Sequence, residues 1–268
     1  MSEASIEYQT PVALVGLLSV DHVSISFGGL KAVQDFSLSL PPGALYGLIG
    51  PNGAGKTTAF NLLTGVYRPD SGSVNLDGRR VDGRKPHQIA KAGLARTFQN
   101  IRLFGELSVL DNVRLGCQMR LPHGVWTTIL RSGGYMAAER LVDVRSQELL
   151  AIFGLSARAR EQAKNLPYGD QRRLEIARAL ATTPKVLLLD EPAAGMNPQE
   201  KIELMNLIRF IRDKFSLAIL LIEHDMKLVM NICERITVLD HGETIAAGTP
   251  SEIQANKKVI EAYLGESE

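Results

Sequence analysis

The sequence predicts an α/β fold, with a core of mainly parallel sheet, a small antiparallel β layer beside it, and a helical lobe inserted into the core. Three observations predict it. The loop Gly50-Pro51-Asn52-Gly53-Ala54-Gly55-Lys56-Thr57-Thr58 stands between a buried-strand pattern at 44–49 and a helical start at 58–63. Residues 186–189 and 217–222 are short continuous apolar runs, as expected of parallel strands covered on both faces. Between loop and runs, residues 101–165 carry helical periodicity and few strand signals.

The elements follow in order. Residues 1–16 read as a loose extension. The apolar run 11–20 is short and interrupted by Gly16 and Ser19, so no membrane span is expected there. With no basic leader before it, no signal peptide is expected either. Val23, Ile25 and Phe27 alternate with Ser24 and Ser26, which suggests a half-buried antiparallel strand. Phe36-Ser37-Leu38-Ser39-Leu40 repeats the alternation before the turn Pro41-Pro42-Gly43, and the turn Asp70-Ser71-Gly72 precedes a short strand at 73–76. These strands make the antiparallel layer.

The helical region carries a Gly/Ser break at Ser132-Gly133-Gly134. A further helix is expected from about Asp170, where Leu174, Ala177, Leu180 and Ala181 recur at helical spacing. The helical subdomain so delimited spans about 101–182. Residues 236–239 and 243–247 flank Asp240-His241-Gly242, a hairpin pattern. The sequence shows no internal repeat and no low-complexity tract.

Composition sets bounds. With 45% hydrophobic and 22% charged residues in 268, the chain can bury a substantial core. Lys and Arg number 30 against 29 Asp and Glu, so bulk charge points to no nucleic-acid partner. Cys117 and Cys233 have no metal-ligand spacing and read as reduced, buried thiols.

The chemistry starts at the loop. Its residues fit Gly-x-x-x-x-Gly-Lys-Ser/Thr, the Walker A pattern. Glycines let successive backbone N–H groups turn toward one anion, and the following helix N-terminus adds its positive dipole. Residues Gly50 to Thr58 are thus expected to cradle a polyphosphate. Lys56 would reach the β- and γ-phosphates, and the Thr57 hydroxyl would sit on Mg²⁺. A second acidic element, Leu187-Leu188-Leu189-Asp190-Glu191-Pro192, ends a buried strand, at the sheet edge where α/β folds bind ligands. Asp190 is expected to hold Mg²⁺ directly or through water, and Glu191 to position and activate the attacking water.

In these motifs the chain resembles the ATP-binding subunit of an ABC transporter, from about residue 17 to the C-terminus. The resemblance implies a P-loop NTPase (RecA-like) core, one nucleotide-binding domain over 17–268, ATP with Mg²⁺, and ATP hydrolysis coupled to transport. Arg96-Thr97-Phe98-Gln99-Asn100 resembles the Q-loop, which implies that Gln99 contacts Mg²⁺ or the water. Ala193-Ala194-Gly195-Met196-Asn197 stands where the D-loop lies. Ile222-Glu223-His224-Asp225 resembles the switch loop, which implies contact of His224 with the γ-phosphate. Phe27 falls where the family stacks an aromatic ring on adenine.

Leu166-Pro167-Tyr168-Gly169-Asp170 occupies the signature position but keeps only the leucine and one glycine of Leu-Ser-Gly-Gly-Gln. Proline offers no hydroxyl to a phosphate, so contact would come from the backbone at Tyr168 and Gly169 and from the helix that follows.

Tyr-Gly-Asp-Gln-Arg-Arg-Leu-Glu-Ile-Ala-Arg, Ala-Ala-Gly-Met-Asn-Pro and the long segment 119–144 resemble the ATPases of branched-chain amino acid importers. That implies two transmembrane permease subunits, a second ABC ATPase subunit (or a second copy of this chain) and an external solute-binding protein. The subunit would lie at the cytoplasmic face of the inner (plasma) membrane, held there only by its partners. Trp126, in the insertion, is expected to lie away from the nucleotide. The alternatives are an ABC ATPase for another solute, such as urea, amides or lipid, and a soluble ABC ATPase. A dead, purely regulatory site conflicts with Lys56, Asp190, Glu191 and His224.

Overall fold

The computed structural model describes residues 16–119 and 133–264. Residues 1–15 of the expected extension, Trp126 and the middle of the 119–144 segment lie outside the described residues. The chain builds β1 (Leu18–Phe27), β2 (Leu30–Leu40), β3 (Leu45–Ile49), α1 (Lys56–Leu63), β4 (Ser71–Leu76) and β5 (Arg79–Arg80). There follow α2 (Pro86–Ala92), β6 (Leu94–Arg96), α3 (Val109–Gln118), α4 (Gly133–Ile152) and α5 (Tyr168–Ala181). The last part holds β7 (Val186–Asp190), α6 (Pro198–Phe215), β8 (Ala218–Ile222), α7 (Met226–Ile232), β9 (Arg235–Asp240), β10 (Glu243–Gly248), α8 (Pro250–Gln254) and α9 (Lys257–Leu264).

Two sheets form. The larger has the order β10-β9-β3-β8-β7-β6, parallel from β9 to β6, with β10 antiparallel on its edge. The smaller, β2-β1-β4-β5, is antiparallel throughout.

The continuous apolar runs have a direct cause. Along β7, Leu187 and Leu189 enter the core packed by the helices, whereas Val186 and Leu188 enter the core shared with α1 and the antiparallel sheet. On β8, Ile219 and Leu221 divide from Ala218, Leu220 and Ile222 in the same way. Each of these side chains is at most 1% exposed. A buried Leu or Ile contributes about 1.5–3 kcal/mol relative to the exposed state, and neither face leaves a place for a polar residue.

The 20-residue α4 opens at Gly133, within the expected Gly/Ser break. Val142, Leu149 and Leu150 of that helix are buried in the main core. The helix α5 starts at Tyr168, two residues before the expected Asp170, with Pro167 as N-cap. Gly116 explains how α3 and α5 approach. A Cβ there would stand 2.5 Å from the Arg178 carbonyl oxygen and 2.7 Å from Ala181 Cβ. Asn112, fully buried, donates to the carbonyls of Phe104 and Ser108 and accepts from the Phe104 amide. It thereby fixes the turn that enters α3.

Candidate functional site

β3, β7 and β8 point their C-terminal ends toward the same edge of the parallel sheet. The loop 50–58 leaves β3 there. Gly50 has φ 151°, and a Cβ on it would stand 2.0 Å from the Leu239 carbonyl oxygen. Gly53 and Gly55 also have positive φ, and Gly55 lies against the Ala32 carbonyl. The loop is therefore seated on β2 and β9. Gly55 is the N-cap of α1, no side chain caps that end, and its first turn holds no acidic residue. Its amides suit an anion. Lys56 is 8% exposed, and its Nζ donates to the carbonyls of Gly50 at 2.6 Å and Pro51 at 2.7 Å. The lysine thus spans the loop it belongs to. Thr57 is exposed and Thr58 half-buried.

At the end of β7, Asp190 is 4% exposed. One of its oxygens, Oδ2, accepts from Arg96 Nη2 at 2.6 Å. Glu191 follows with φ 47°, and its amide donates to the Ile222 carbonyl at 2.9 Å. A left-handed conformation at a non-glycine residue stores strain of order 1 kcal/mol and recurs at functional sites. Glu191 Oε2 accepts from Gln99 Nε2 at 2.8 Å and lies 3.7 Å from His224 Nδ1. The structure thus brings together Gln99, Glu191 and His224 from the segments that follow β6, β7 and β8. His224 is exposed and Glu191 half-buried.

Phe27, 44% exposed, makes an edge contact with Tyr67 at 5.1 Å between ring centroids. Tyr168 and Gly169 lie at the start of α5 against the 193–197 loop. A Cβ on Gly195 would touch the Tyr168 ring at 3.4 Å, and one on Gly169 would stand 3.6 Å from Glu200 Oε1. The signature segment and the loop after Glu191 are therefore packed on one another in the same chain.

Sequence reasoning missed several partners. Arg172 is fully buried, and its Nη1 donates to Glu175 and to the Phe98 carbonyl, while Nη2 donates to the Gln99 carbonyl and the Tyr168 hydroxyl. Glu175 accepts from the Phe98 and Arg102 amides. The pair holds the Gln99 segment from both its amide and its carbonyl sides and ties it to Tyr168. In the sequence it is only an i, i+3 charge pair, which usually marks a solvated helix face.

Glu223 is another missed partner. It is 1% exposed, accepts from the Ala193 amide at 2.8 Å, and burial pushes its carboxyl above the ordinary glutamate value of 4.5. The folded state then holds this proton more tightly than the unfolded chain does. Stability from this group is full below the ordinary glutamate range and is lost as pH rises through the folded value. Glu223→Gln keeps an acceptor for Ala193 and removes the buried charge. Its thermal midpoint is expected to exceed wild type at neutral pH and to match it more closely at about pH 4. Thermal unfolding at the two pH values checks this; a lower midpoint for the variant at neutral pH would contradict it.

The family model of ABC transporters matches residues 33–194, and that of branched-chain amino acid ATP-binding cassette transporters matches residues 243–268. The chain is 48% identical over 251 residues to the high-affinity branched-chain amino acid transport ATP-binding protein LivG of Escherichia coli K12, covering 94% of this chain and 98% of the relative. Identity to BraF of Pseudomonas aeruginosa, of the same description, is 43% over 94% of this chain and 98% of the relative. Identity to the lipopolysaccharide export system ATP-binding protein LptB of Escherichia coli K12 is 34% over 93% of this chain and 97% of the relative. Among solved structures, the ADP conformation of MJ1267, an ATP-binding cassette of an ABC transporter, superposes with a TM-score of 0.80 at 29% identity, over 92% of this chain and 98% of that one.

Proposed function

The chain belongs to the ATP-binding subunits of ABC transporters, and from that premise we propose how its residues turn ATP hydrolysis into transport. It is the ATP-binding and hydrolysing subunit of a branched-chain amino acid transporter. The greater identity to LivG and BraF than to LptB favours amino acid over lipid as the solute. The geometric observation that carries the site reading is the convergence of Gln99, Glu191 and His224 at the sheet edge from which the 50–58 loop emerges.

The residues divide the work. Backbone amides of the loop and of the first turn of α1 hold the phosphates, and Lys56 adds a fixed positive charge. Thr57 and Asp190 offer a hydroxyl and a carboxylate, and Gln99 a side-chain amide oxygen. Oxygen donors of this kind, few in number, fit Mg²⁺, which keeps waters and substrate phosphates as its other ligands. The bound ion would neutralise charge on the phosphates. Glu191 orients the water and takes its proton, and His224 stabilises the γ-phosphate. Phe27 offers a ring face to the base. Tyr168 and Gly169 reach the nucleotide held by a second ATPase subunit. ATP therefore favours the closed pair, and hydrolysis removes that preference.

Residues 17–268 form one domain, with a helical subdomain inserted at about 101–182. A groove of about 550 Å³, lined among others by Leu94, Phe98, Phe104, Leu115 and Met119, lies beside the Gln99 segment. We assign it to a short helix of a permease. No helix among the described residues is long and apolar enough to cross a membrane, so attachment is through permeases, here two of them at the cytoplasmic face. An external binding protein delivers the solute.

The test is reconstitution in proteoliposomes with the permeases, the second ATPase and the binding protein. Uptake of leucine, isoleucine or valine that requires ATP and this chain is the expected result. ATP-driven uptake of a different solute class alone would contradict the assignment.

A further inference from the structure

We propose that Arg96 is a positioning residue for Asp190, one that sets how strongly this carboxylate attracts a divalent cation. The inference rests on the reading of Asp190 as the Mg²⁺ carboxylate. Nothing in the sequence beyond its place before Thr97-Phe98-Gln99 singled Arg96 out.

The geometry is restrictive. The Arg96 and Asp190 side chains are 6% and 5% exposed and meet at 2.6 Å. The other terminal nitrogen of Arg96 donates to Asn61 Oδ1 on α1 at 2.7 Å. The guanidinium lies between two rings, 5.4 Å from the Phe60 centroid and 5.1 Å from that of Phe98. From the adjacent residue, the Thr97 hydroxyl accepts from the Asp190 amide at 3.4 Å. Side chain and backbone of Asp190 are thus held by consecutive residues of one short segment.

Two consequences follow. An arginine keeps its charge under all ordinary conditions. In a buried site its repulsion of a second cation is weakly screened. Arg96 therefore aims the carboxylate but, more strongly, opposes any cation that approaches it, so its net effect is to hold the affinity for Mg²⁺ down. The same side chain lines the groove beside Phe98 and Phe104. Its near face is at the groove and its tip at the metal carboxylate, so a shift of the groove wall would change the attraction of Asp190 for the ion.

The test uses the full chain and a fluorescent ATP analogue, and reads the Mg²⁺ concentration at which analogue binding is half-tightened. It needs no turnover. Arg96→Met is expected to lower that concentration roughly tenfold, Asp190→Asn to raise it, and the double variant to follow Asp190→Asn. Arg96→Lys, which keeps the charge but cannot reach Asp190 and Asn61 together, should fall between Arg96→Met and wild type. Thermal midpoints in EDTA give a second reading, because removing one partner of a buried ion pair leaves a lone charge. Arg96→Met should lose stability that the double variant regains. This reading also serves if Arg96→Met alone folds poorly.

If Asp190→Asn raises the Mg²⁺ requirement while Arg96→Met leaves it unchanged or raised, the proposal is overturned and the site reading stands. If Asp190→Asn itself has no effect on Mg²⁺, the site reading fails and takes the proposal with it.

Discussion

Glu191→Gln binds Mg·ATP with near wild-type affinity and hydrolyses it roughly 10²–10⁴-fold more slowly, the range lost with a general base. The substitution is close to isosteric. The side-chain carbonyl of a glutamine can still accept from Gln99 Nε2, which stands 2.8 Å from Glu191 Oε2. The φ of 47° and the amide bond to Ile222 belong to the backbone and persist. Only the ability to take a proton is lost. With binding intact and cleavage stopped, the variant should accumulate as a closed pair of ATPase subunits in ATP. Size-exclusion with and without ATP, beside a single-turnover phosphate assay, checks both halves. Rapid turnover by the variant would remove Glu191 from its assigned role.

Lys56→Ala has the second large effect, and at the other step. Truncating one member of a buried, charge-assisted pair costs about 2–5 kcal/mol, so ATP affinity should fall by at least roughly 30-fold. Lys56 Nζ also bridges the carbonyls of Gly50 and Pro51. Its loss therefore loosens the loop as well as removing charge. Equilibrium binding of a fluorescent nucleotide by this chain separates the variant from Glu191→Gln, which keeps affinity. Near-normal binding by Lys56→Ala would place the phosphates elsewhere.

The fold was legible where chain-local signals agree. Residues 186–189 and 217–222 became β7 and β8, neighbours in the sheet, because apolar side chains on both faces leave a visible run. The Asp240-His241-Gly242 turn joins β9 and β10 as expected, with Asp240 paired to Glu243. β5 and β6 are two and three residues long, too short to show a period. Gly133 and Gly134 fall at the start of α4, where a Gly/Ser break is expected.

The site was legible where backbone chemistry needs particular residues, as in the 50–58 loop. It was illegible where a role depends on partners distant in sequence. Arg172 meets Phe98 from 74 residues away and Arg96 meets Asp190 from 94. Glu223 looks like one more polar residue after a strand until the Ala193 amide is found against it. Burial of these charges is a tertiary property, and residue type alone does not encode it.

Phosphate release from Mg·ATP by the assembled transporter, wild type beside a complex carrying Glu191→Gln in this chain only, tests the central claim most directly. Sustained release by the first, and release cut by at least roughly tenfold in the second, is the predicted result. Equal rates from the two complexes, or no release from either, would contradict it.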